Sequence, residues 1–310
     1  MALARLASGA AVVAAIAAIS ATASAASTCG CEATARTRAI EPLRWLHIPK
    51  AGTSFGTTVY HYLNDLAVAR NASTWRLPED ARPFCDDGHK NRLDGRCSAM
   101  MTELMLKYPP KRYLGHDTLV DLRLAGHDPL ASASEARAAV ALFREPRARM
   151  ISHYFWFEGE KERRENASNA AFGTAGAVHA YATQHLGCQT RMVLGQSCWS
   201  HEPLNHSELK AAQRRLEQFA FVGITDRYDE SVCLFHAMAG GSRGPVAVEF
   251  EDVRRDAAAH THDTSHLLTG LKDPYDGPLY EKAVAIFERN LARFRCDARR
   301  PELARAAHAR

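Results

Sequence analysis

Short apolar runs along the chain predict the strands of a buried sheet. Five such runs have strand length and cover residues 43–48, 113–116, 138–143, 220–224 and 246–250. An apolar run of this length without polar alternation is typical of a strand that is buried on both faces. The first four runs are therefore predicted strands, and 246–250 is a candidate fifth.

Segments with apolar residues at helical spacing lie between these runs. Helices are predicted over 55–66, through Met150, Tyr154 and Phe157, over 229–238 and over 279–294. Two segments that lack an apolar pattern, 71–97 and 158–176, are predicted loops. Strands that alternate with helices indicate a parallel sheet. We therefore predict a single P-loop-like α/β domain, with a central parallel sheet flanked by helices on both faces.

The N-terminus predicts entry into the secretory pathway. Arg5 precedes a stretch of Ala, Val and Ile that ends in small residues with Ala-x-Ala sites, which is typical of a signal peptide. An uncleaved anchor is the alternative, because the uncharged stretch is long enough to span a bilayer. We expect a signal peptide or signal anchor over 1–26, a short linker over 27–40, the domain over 41–300 and a tail over 301–310.

Glycosylation sequons and cysteines agree with a luminal location. Three N-glycosylation sequons begin at Asn71, Asn166 and Asn205. The chain has 8 Cys, and an even number in an oxidising compartment indicates a set of disulfides. Two short-range pairs could close polar loops, namely Cys85 with Cys97 and Cys188 with Cys198. Cys233 lies in an apolar segment and is predicted to be a buried hydrophobic residue instead.

Composition narrows the class of protein. The 310 residues are 46% hydrophobic and 24% charged, with a net charge of +4. These values exclude a disordered, collagen-like or coiled-coil chain, each of which has a more extreme composition. A net charge this small does not by itself indicate nucleic-acid binding. The excess of cations can equally serve one anionic ligand.

The turn between the first predicted strand and the first predicted helix has the residues of an anion site. It reads Pro-Lys-Ala-Gly-Thr-Ser over 49–54. Backbone N–H groups at a helix N-terminus, together with the helix dipole, bind phosphate-like groups. Lys50 adds positive charge, and Gly52 permits a close approach of the backbone. The Lys precedes the Gly, which is not the Walker order and disfavours a nucleoside triphosphatase. A tight turn with a solvated Lys is the alternative.

A second group of anion-binding residues follows the third predicted strand. Residues 144–154 read Arg-Glu-Pro-Arg-Ala-Arg-Met-Ile-Ser-His-Tyr, which places Arg144 at the end of the strand and Ser152 in the next helix. A guanidinium pairs with a phosphate through two parallel hydrogen bonds, and a hydroxyl can donate another. Arg147 is predicted to lie on an exposed helix face.

Together the two segments resemble the membrane-associated carbohydrate sulfotransferases, which use 3′-phosphoadenosine 5′-phosphosulfate (PAPS) as donor. The likeness rests on Ile-Pro-Lys-Ala-Gly-Thr-Ser and Arg-Glu-Pro-x-x-Arg-x-x-Ser-x-Tyr and spans roughly 43–295. In that family the first motif cradles the 5′-phosphosulfate and the second holds the 3′-phosphate. The resemblance implies that the donor is bound by Lys50, Ala51, Gly52, Thr53, Ser54, Arg144 and Ser152. Two departures are Glu145 in place of a frequent Asp and one Gly in the loop where many members have two.

Further matches to the same family lie in the second half of the chain. They are Gln-Thr-Arg-Met at 189–192, Phe-Val-Gly-Ile-Thr at 221–225 and Leu-Tyr at 279–280. Within the first of these, Gln189 and Arg191 are the candidate substrate contacts.

The catalytic base is expected to be a histidine. Tyr-Leu-Gly-His at 113–116 is similar to the Gly-His segment of the heparan and uronyl 2-O-sulfotransferases, where the His is the proposed base, and this implies His116. An imidazole that titrates near neutral pH suits removal of a hydroxyl proton. A loop His bonded to the backbone is the alternative. His47 is predicted to be structural, and the loose spacing of His260, His262 and His266 does not indicate a zinc site.

The expected function is transfer of a sulfuryl group from PAPS to a glycan hydroxyl in the Golgi lumen or outside the cell. His116 and Lys50 are the expected catalytic residues, and no metal or nucleic acid is expected to take part. Contact with a membrane is expected only through an N-terminal anchor. One alternative is a non-catalytic glycan-binding or nucleotide-binding protein of the same fold. A luminal kinase is the other, which the missing Walker loop disfavours.

Overall fold

A computed structural model describes residues 29–31, 39–40, 42–69, 113–114, 128–165, 171–240, 244–251 and 264–296. Several predictions concern residues outside these ranges. They are the segment 1–26, the tail 301–310, the pair Cys85 and Cys97, the sequons at Asn71 and Asn166, and His116, His260 and His262.

A four-stranded parallel sheet forms the centre of the described chain. The strands are β1 (Arg44–Leu46), β2 (Tyr113–Leu114), β3 (Ala139–Phe143) and β4 (Phe221–Ile224). Their spatial order is β2-β1-β3-β4, and every neighbouring pair is parallel. Trp45 of β1 is paired with Val140 of β3, which is paired in turn with Phe221 of β4. The prediction of an α/β chain with a parallel sheet is confirmed.

Eight α-helices and three 3-10 helices accompany the sheet in the described ranges. The α-helices are α1 (Phe55–Ala69), α2 (Ala133–Ala136), α3 (Pro146–Glu165), α4 (Ala175–Gln184), α5 (Cys188–Val193), α6 (His206–Leu216), α7 (Tyr228–Ala239) and α8 (Asp276–Arg293). The 3-10 helices are Thr225–Arg227, Ala247–Phe250 and Ser265–Leu268.

Two secondary-structure predictions are wrong. The segment 158–165 is not a loop but the second half of α3, since its Glu, Lys and Arg residues favour a helix even without an apolar stripe. The candidate strand at 246–250 is a 3-10 helix. There the buried Glu249 carboxylate accepts hydrogen bonds from the Val246 amide and pairs with His236, contacts that a tight turn allows.

An aromatic cluster packs the first helix against the sheet. Phe55 of α1 stacks on Phe221 of β4 with 5.6 Å between ring centroids, and Phe235 of α7 meets both rings edge-on. Every residue of α1 from Phe55 to Asp65 is buried. Aromatic contacts of this kind stabilise a core beyond their buried area. The start of α1 is therefore held firmly at the edge of the sheet.

The described chain has three disulfides, two of which join segments more than 200 residues apart. Cys188–Cys198 is confirmed, whereas Cys233 is not simply a buried hydrophobic residue but is bonded to Cys29. Cys31 is bonded to Cys296, so residues 29–31 of the predicted linker are fixed to the core. Disulfides of this kind indicate an oxidising secretory or extracellular environment. Among the residues described, no helix combines the length and apolar character needed to cross a membrane.

Candidate functional site

The candidate site lies where the strand order reverses. Going along the chain, β2 is added on one side of β1, and β3 is added on the other side. Loops that follow two such neighbouring strands diverge and leave a crevice at the carboxyl edge of the sheet, where open α/β sheets bind ligands. The loop after β1 (residues 47–54, the anion loop) and Arg144 after β3 both lie at this edge.

The anion loop contains two residues with a left-handed backbone conformation. Lys50 has a φ of 62° and Gly52 a φ of 90°, so two of its residues adopt the left-handed region. The Ala51 amide donates to the Ile48 carbonyl, and the Phe55 amide donates to the Gly52 carbonyl, both at 3.1 Å. A Cβ on Gly52 would lie 2.7 Å from Leu142 Cδ2 of β3. A side chain at this position would strain the left-handed backbone and require Leu142 to shift, so glycine is strongly favoured.

The electrostatics of the loop favour an anion. The N-terminus of α1 follows the loop directly, and no acidic residue occupies its first turn, so the positive end of the helix dipole is not neutralised there. The hydroxyl of Thr53 lies 3.2 Å from His47 Nε2. His47 was predicted inside the first strand. The structure places it at the end of that strand, where β1 stops at Leu46 but the His47 amide still donates to the Leu114 carbonyl of β2 at 3.0 Å, and where the anion loop begins. A half-buried imidazole therefore contacts one of the predicted ligand-binding hydroxyls.

Arg144 links the two predicted anion-binding segments. Its Nη1 donates to the carbonyl oxygen of Lys50 at 3.1 Å, across 94 residues of sequence. The guanidinium is half-buried and stands beside the loop that carries Lys50, Gly52 and Thr53. Arg147, three residues later, is exposed and pairs with Glu145, as its predicted place on the helix surface requires.

Ser152 lies on the face of α3 that is directed to the anion loop. Trp156 is four residues after Ser152, so the two share one face of the helix. The Lys50 Nζ stands over the Trp156 ring, 5.5 Å from its centroid. Arg144 and Trp156 therefore both contact Lys50, and Ser152 lies one helical turn before Trp156. Sequence reasoning did not single out Trp156, because an aromatic residue at helical spacing ordinarily belongs to the core.

Gln189 and Arg191, the candidate substrate contacts, have partners within the protein. The Gln189 side chain is fully buried and binds both main-chain polar groups of Arg144. The Arg191 guanidinium donates to the carbonyls of Leu186 and Glu202, which fixes the segment around α5. Their assignment as substrate contacts stays a prediction, and the structure adds a role in support of the site.

Buried charges lie behind these residues. Arg149 of α3 is fully buried, and its Nε and Nη1 have no hydrogen-bond partner among the described residues. Burial lowers the pKa of Arg149, and the carboxylates of Asp276 and Asp273 act in the opposite direction. Burial, together with Asp273, raises the pKa of Asp276 to about 6. These buried residues carried no sequence signal, because charged residues are ordinarily exposed.

A cluster of rings continues from α3 toward α4. The ring centroids of His153 and Trp199 are 4.8 Å apart, and the Nδ1 of His153 is 2.7 Å from the Tyr181 hydroxyl. The ring of Tyr181 also stacks on His185 at 4.2 Å. Burial lowers the pKa of His185 below its ordinary value, which favours a neutral imidazole at neutral pH. The cluster borders the buried Arg149, whose Nη2 donates to the His185 carbonyl at 3.4 Å.

Asn205 is exposed at the start of α6, as glycosylation at its sequon requires. Its side-chain oxygen accepts hydrogen bonds from the Glu208 amide and the Ser207 hydroxyl. The side-chain nitrogen, to which a glycan would attach, takes no part in this helix cap.

Comparisons with protein-family models, with curated proteins and with solved structures give no match to this chain. The function that follows is therefore inferred from the geometry at the sheet edge and from the resemblance of its two motifs.

Proposed function

We propose that the chain is a PAPS-dependent carbohydrate sulfotransferase of the secretory pathway, built on a P-loop-like core. The observation that carries this proposal is the hydrogen bond from Arg144 to the Lys50 carbonyl, which joins two anion-binding segments. PAPS carries a 5′-phosphosulfate and a 3′-phosphate on one ribose, so its binding needs two adjoining anion sites. ATP has all its phosphates on the 5′ oxygen and no 3′-phosphate for Arg144.

In the proposed reaction, a hydroxyl oxygen of the glycan attacks the sulfur of PAPS. A new O–S bond forms, and the bond from sulfur to the bridging phosphate oxygen breaks with its electron pair on that oxygen. Adenosine 3′,5′-bisphosphate leaves, and the hydroxyl proton passes to a histidine base, for which His116 is proposed. Lys50 stabilises the charge that develops on the sulfonyl and bridging oxygens.

The position of Lys50 suits this role. Its ammonium rests on the Trp156 ring, an attraction that is modest at a partly exposed site. An oxyanion in the loop attracts an ammonium more strongly than an aromatic face does. Trp156 therefore keeps the side chain near the site without competing seriously with the donor.

The proposed compartment is the Golgi lumen, reached through the N-terminal signal or anchor. Three disulfides and an exposed sequon at Asn205 support an oxidising, glycosylating environment. The proposed acceptor is a sugar hydroxyl of a polysaccharide, glycoprotein or glycolipid.

A transfer assay with radiolabelled PAPS and a panel of glycans tests the proposal. Lys50→Gly removes the ammonium and suits the left-handed backbone at this position, so it is expected to lower transfer about 100-fold or more while the protein unfolds at an unchanged or higher temperature. Lys210→Met, at an exposed site on α6, is the control and should retain transfer. Full activity of Lys50→Gly would refute the role of Lys50.

Nucleotide binding, measured by thermal shift beside the transfer assay, has two outcomes that would favour the alternatives. Binding of adenosine 3′,5′-bisphosphate without transfer to any glycan would indicate a non-catalytic protein of this fold. Stabilisation by ATP but not by the bisphosphate would indicate a kinase.

A further inference from the structure

The buried Gln189 carboxamide acts as a clamp on the main chain of Arg144. Its Oε1 accepts the Arg144 amide hydrogen at 3.1 Å, and its Nε2 donates to the Arg144 carbonyl at 3.0 Å. The side chain thus makes the pair of bonds that a neighbouring strand would make, one residue beyond the end of β3. Because the amide and the carbonyl of Arg144 are both engaged, its backbone has little freedom to rotate.

Gln189 is itself fixed by a buried carboxylate. Asp276 Oδ2 accepts the Gln189 amide hydrogen at 3.0 Å, and Asp276 Oδ1 accepts from the amide and the hydroxyl of Thr190 at 2.8 and 2.9 Å. Asp276, Gln189 and Thr190 are each fully buried. A chain of buried contacts therefore runs from the start of α8 through α5 to Arg144.

The buried Arg149 supplies a positive charge that acts on Asp276, the carboxylate that holds Gln189. It lies on α3, five residues after Arg144, and interacts electrostatically with Asp276 and Asp273. A buried carboxylate without an opposite charge would be costly. The same helix that carries Ser152 thus stabilises the carboxylate that holds Gln189.

We propose that Gln189 is a positioning residue for recognition of the donor's 3′-phosphate, acting through the main chain of Arg144. This inference rests on the proposed function, in which Arg144 binds that phosphate. The clamp fixes the backbone from which the guanidinium reaches the Lys50 carbonyl, so loss of the clamp is expected to displace the group that binds the 3′-phosphate. The anion loop, which binds the 5′ group, is also held by bonds of its own, from the Ala51 amide to Ile48 and from the Phe55 amide to Gly52, so we expect it to be affected less.

The test compares two nucleotides that differ only in the 3′-phosphate. Binding of adenosine 3′,5′-bisphosphate and of adenosine 5′-monophosphate is measured by calorimetry for the full chain and for Gln189→Met, which keeps the length of the side chain but not its hydrogen bonds. We expect the variant to bind the bisphosphate about tenfold more weakly or worse, with the affinity for the monophosphate changed less than about twofold. Gln218→Met, at an exposed position just after α6, is the control and should leave both affinities unchanged.

The possible outcomes separate this inference from the proposed function. If the unaltered chain prefers the bisphosphate and Gln189→Met weakens both nucleotides equally, or neither, the positioning role is refuted and the proposed function stands. If the unaltered chain shows no preference for the bisphosphate, both are refuted. Should Gln189→Met fail to fold, Gln189→Asn gives the same prediction, because its amide is one methylene too short to reach both main-chain groups.

Discussion

Gly52 is the residue of the anion loop that tolerates change least. Its φ of 90° already disfavours any side chain, and an added Cβ would meet Leu142 at 2.7 Å. Gly52→Ala is expected to lower the free energy of unfolding by about 2–4 kcal/mol, from a left-handed backbone and an overpacked contact together. Nucleotide binding should fall with it, because the loop must move away from β3.

A second glycine, Gly270, separates the effect of the left-handed backbone from that of the contact with Leu142. Gly270 has a φ of 82° and nothing within 4 Å of an added Cβ, so Gly270→Ala carries only the backbone term, about 1–2 kcal/mol. Urea unfolding of both variants measures the difference. Equal losses of stability would show that Leu142 does not restrict the loop.

Among single residues, the sequence indicated which side chains lie near the ends of strands better than it indicated what they contact. Lys50, Gly52 and Arg144 could be found because Lys, Gly and Arg next to strand ends have few structural explanations. The contacts of Gln189 could not, since a glutamine in a helix is ordinarily exposed and only the fold brings it to Arg144. The first strand was predicted to include His47 because the apolar run continues to Ile48, whereas the last residue of the regular strand is Leu46.

Among the elements, the 3-10 helix Ala247–Phe250 is tied to α7 by a buried contact between a carboxylate and an imidazole. Glu249 is fully buried and lies 2.7 Å from His236. Burial alone would raise the pKa of Glu249, but His236 and the Val246 amide hold it below its ordinary value. A carboxylate whose pKa is lowered in the folded state stabilises the protein above the pKa of the unfolded chain, and this contribution is lost as the pH falls through the folded pKa.

Glu249→Gln should therefore remove a pH-dependent part of the stability. We expect the free energy of unfolding to fall by about 3 kcal/mol near pH 7, as for a broken buried pair. The loss should be smaller below about pH 4, where Glu249 itself becomes protonated. Denaturant unfolding over this range measures it. Glu217→Gln, which breaks an exposed pair with Lys282, is the control and should have no measurable effect. A difference between Glu249→Gln and the unaltered chain that is constant with pH would contradict the assignment.

Elements with an apolar pattern were predictable, and those defined by polar contacts were not. The helix α1 and the strands β3 and β4 follow directly from apolar spacing and length. The second half of α3 has no such pattern, and the turn at 247–250 depends on a carboxylate whose partner, His236, comes from another element. Local sequence does not contain that information.

For the whole molecule, the disulfides of residues 29–31 are the main long-range constraint. Cys29 and Cys233 are 204 residues apart, whereas Cys188 and Cys198 are 10 apart. The chain-entropy model assigns about 5 kcal/mol to the longer loop and about 3 kcal/mol to the shorter one. Replacing Cys29 and Cys233 by Ser should therefore cost more stability than replacing Cys188 and Cys198. Thermal unfolding without reductant compares the two, and the reverse order would contradict the expectation.

The connectivity of these disulfides could not be read from the sequence. Eight cysteines allow about a hundred pairings, and the choice is made by the fold that brings the N-terminal segment to α7 and to the end of α8. The sequence predicted that the strands are parallel, but it did not predict their order in the sheet. The convergence of Lys50 and Arg144 depends on that order, because it places β1 next to β3.

The most direct measurement for the whole account is nucleotide binding by the full chain. Calorimetric titration compares adenosine 3′,5′-bisphosphate with ATP. In the proposed site, the bisphosphate binds both the anion loop and Arg144, whereas ATP, which has no 3′-phosphate, binds only the anion loop. We predict that the bisphosphate binds at least about tenfold more tightly, and that Arg144→Met but not Arg147→Met removes this preference. Binding of ATP as tightly as the bisphosphate, or a preference that survives Arg144→Met, would contradict a PAPS site at this sheet edge.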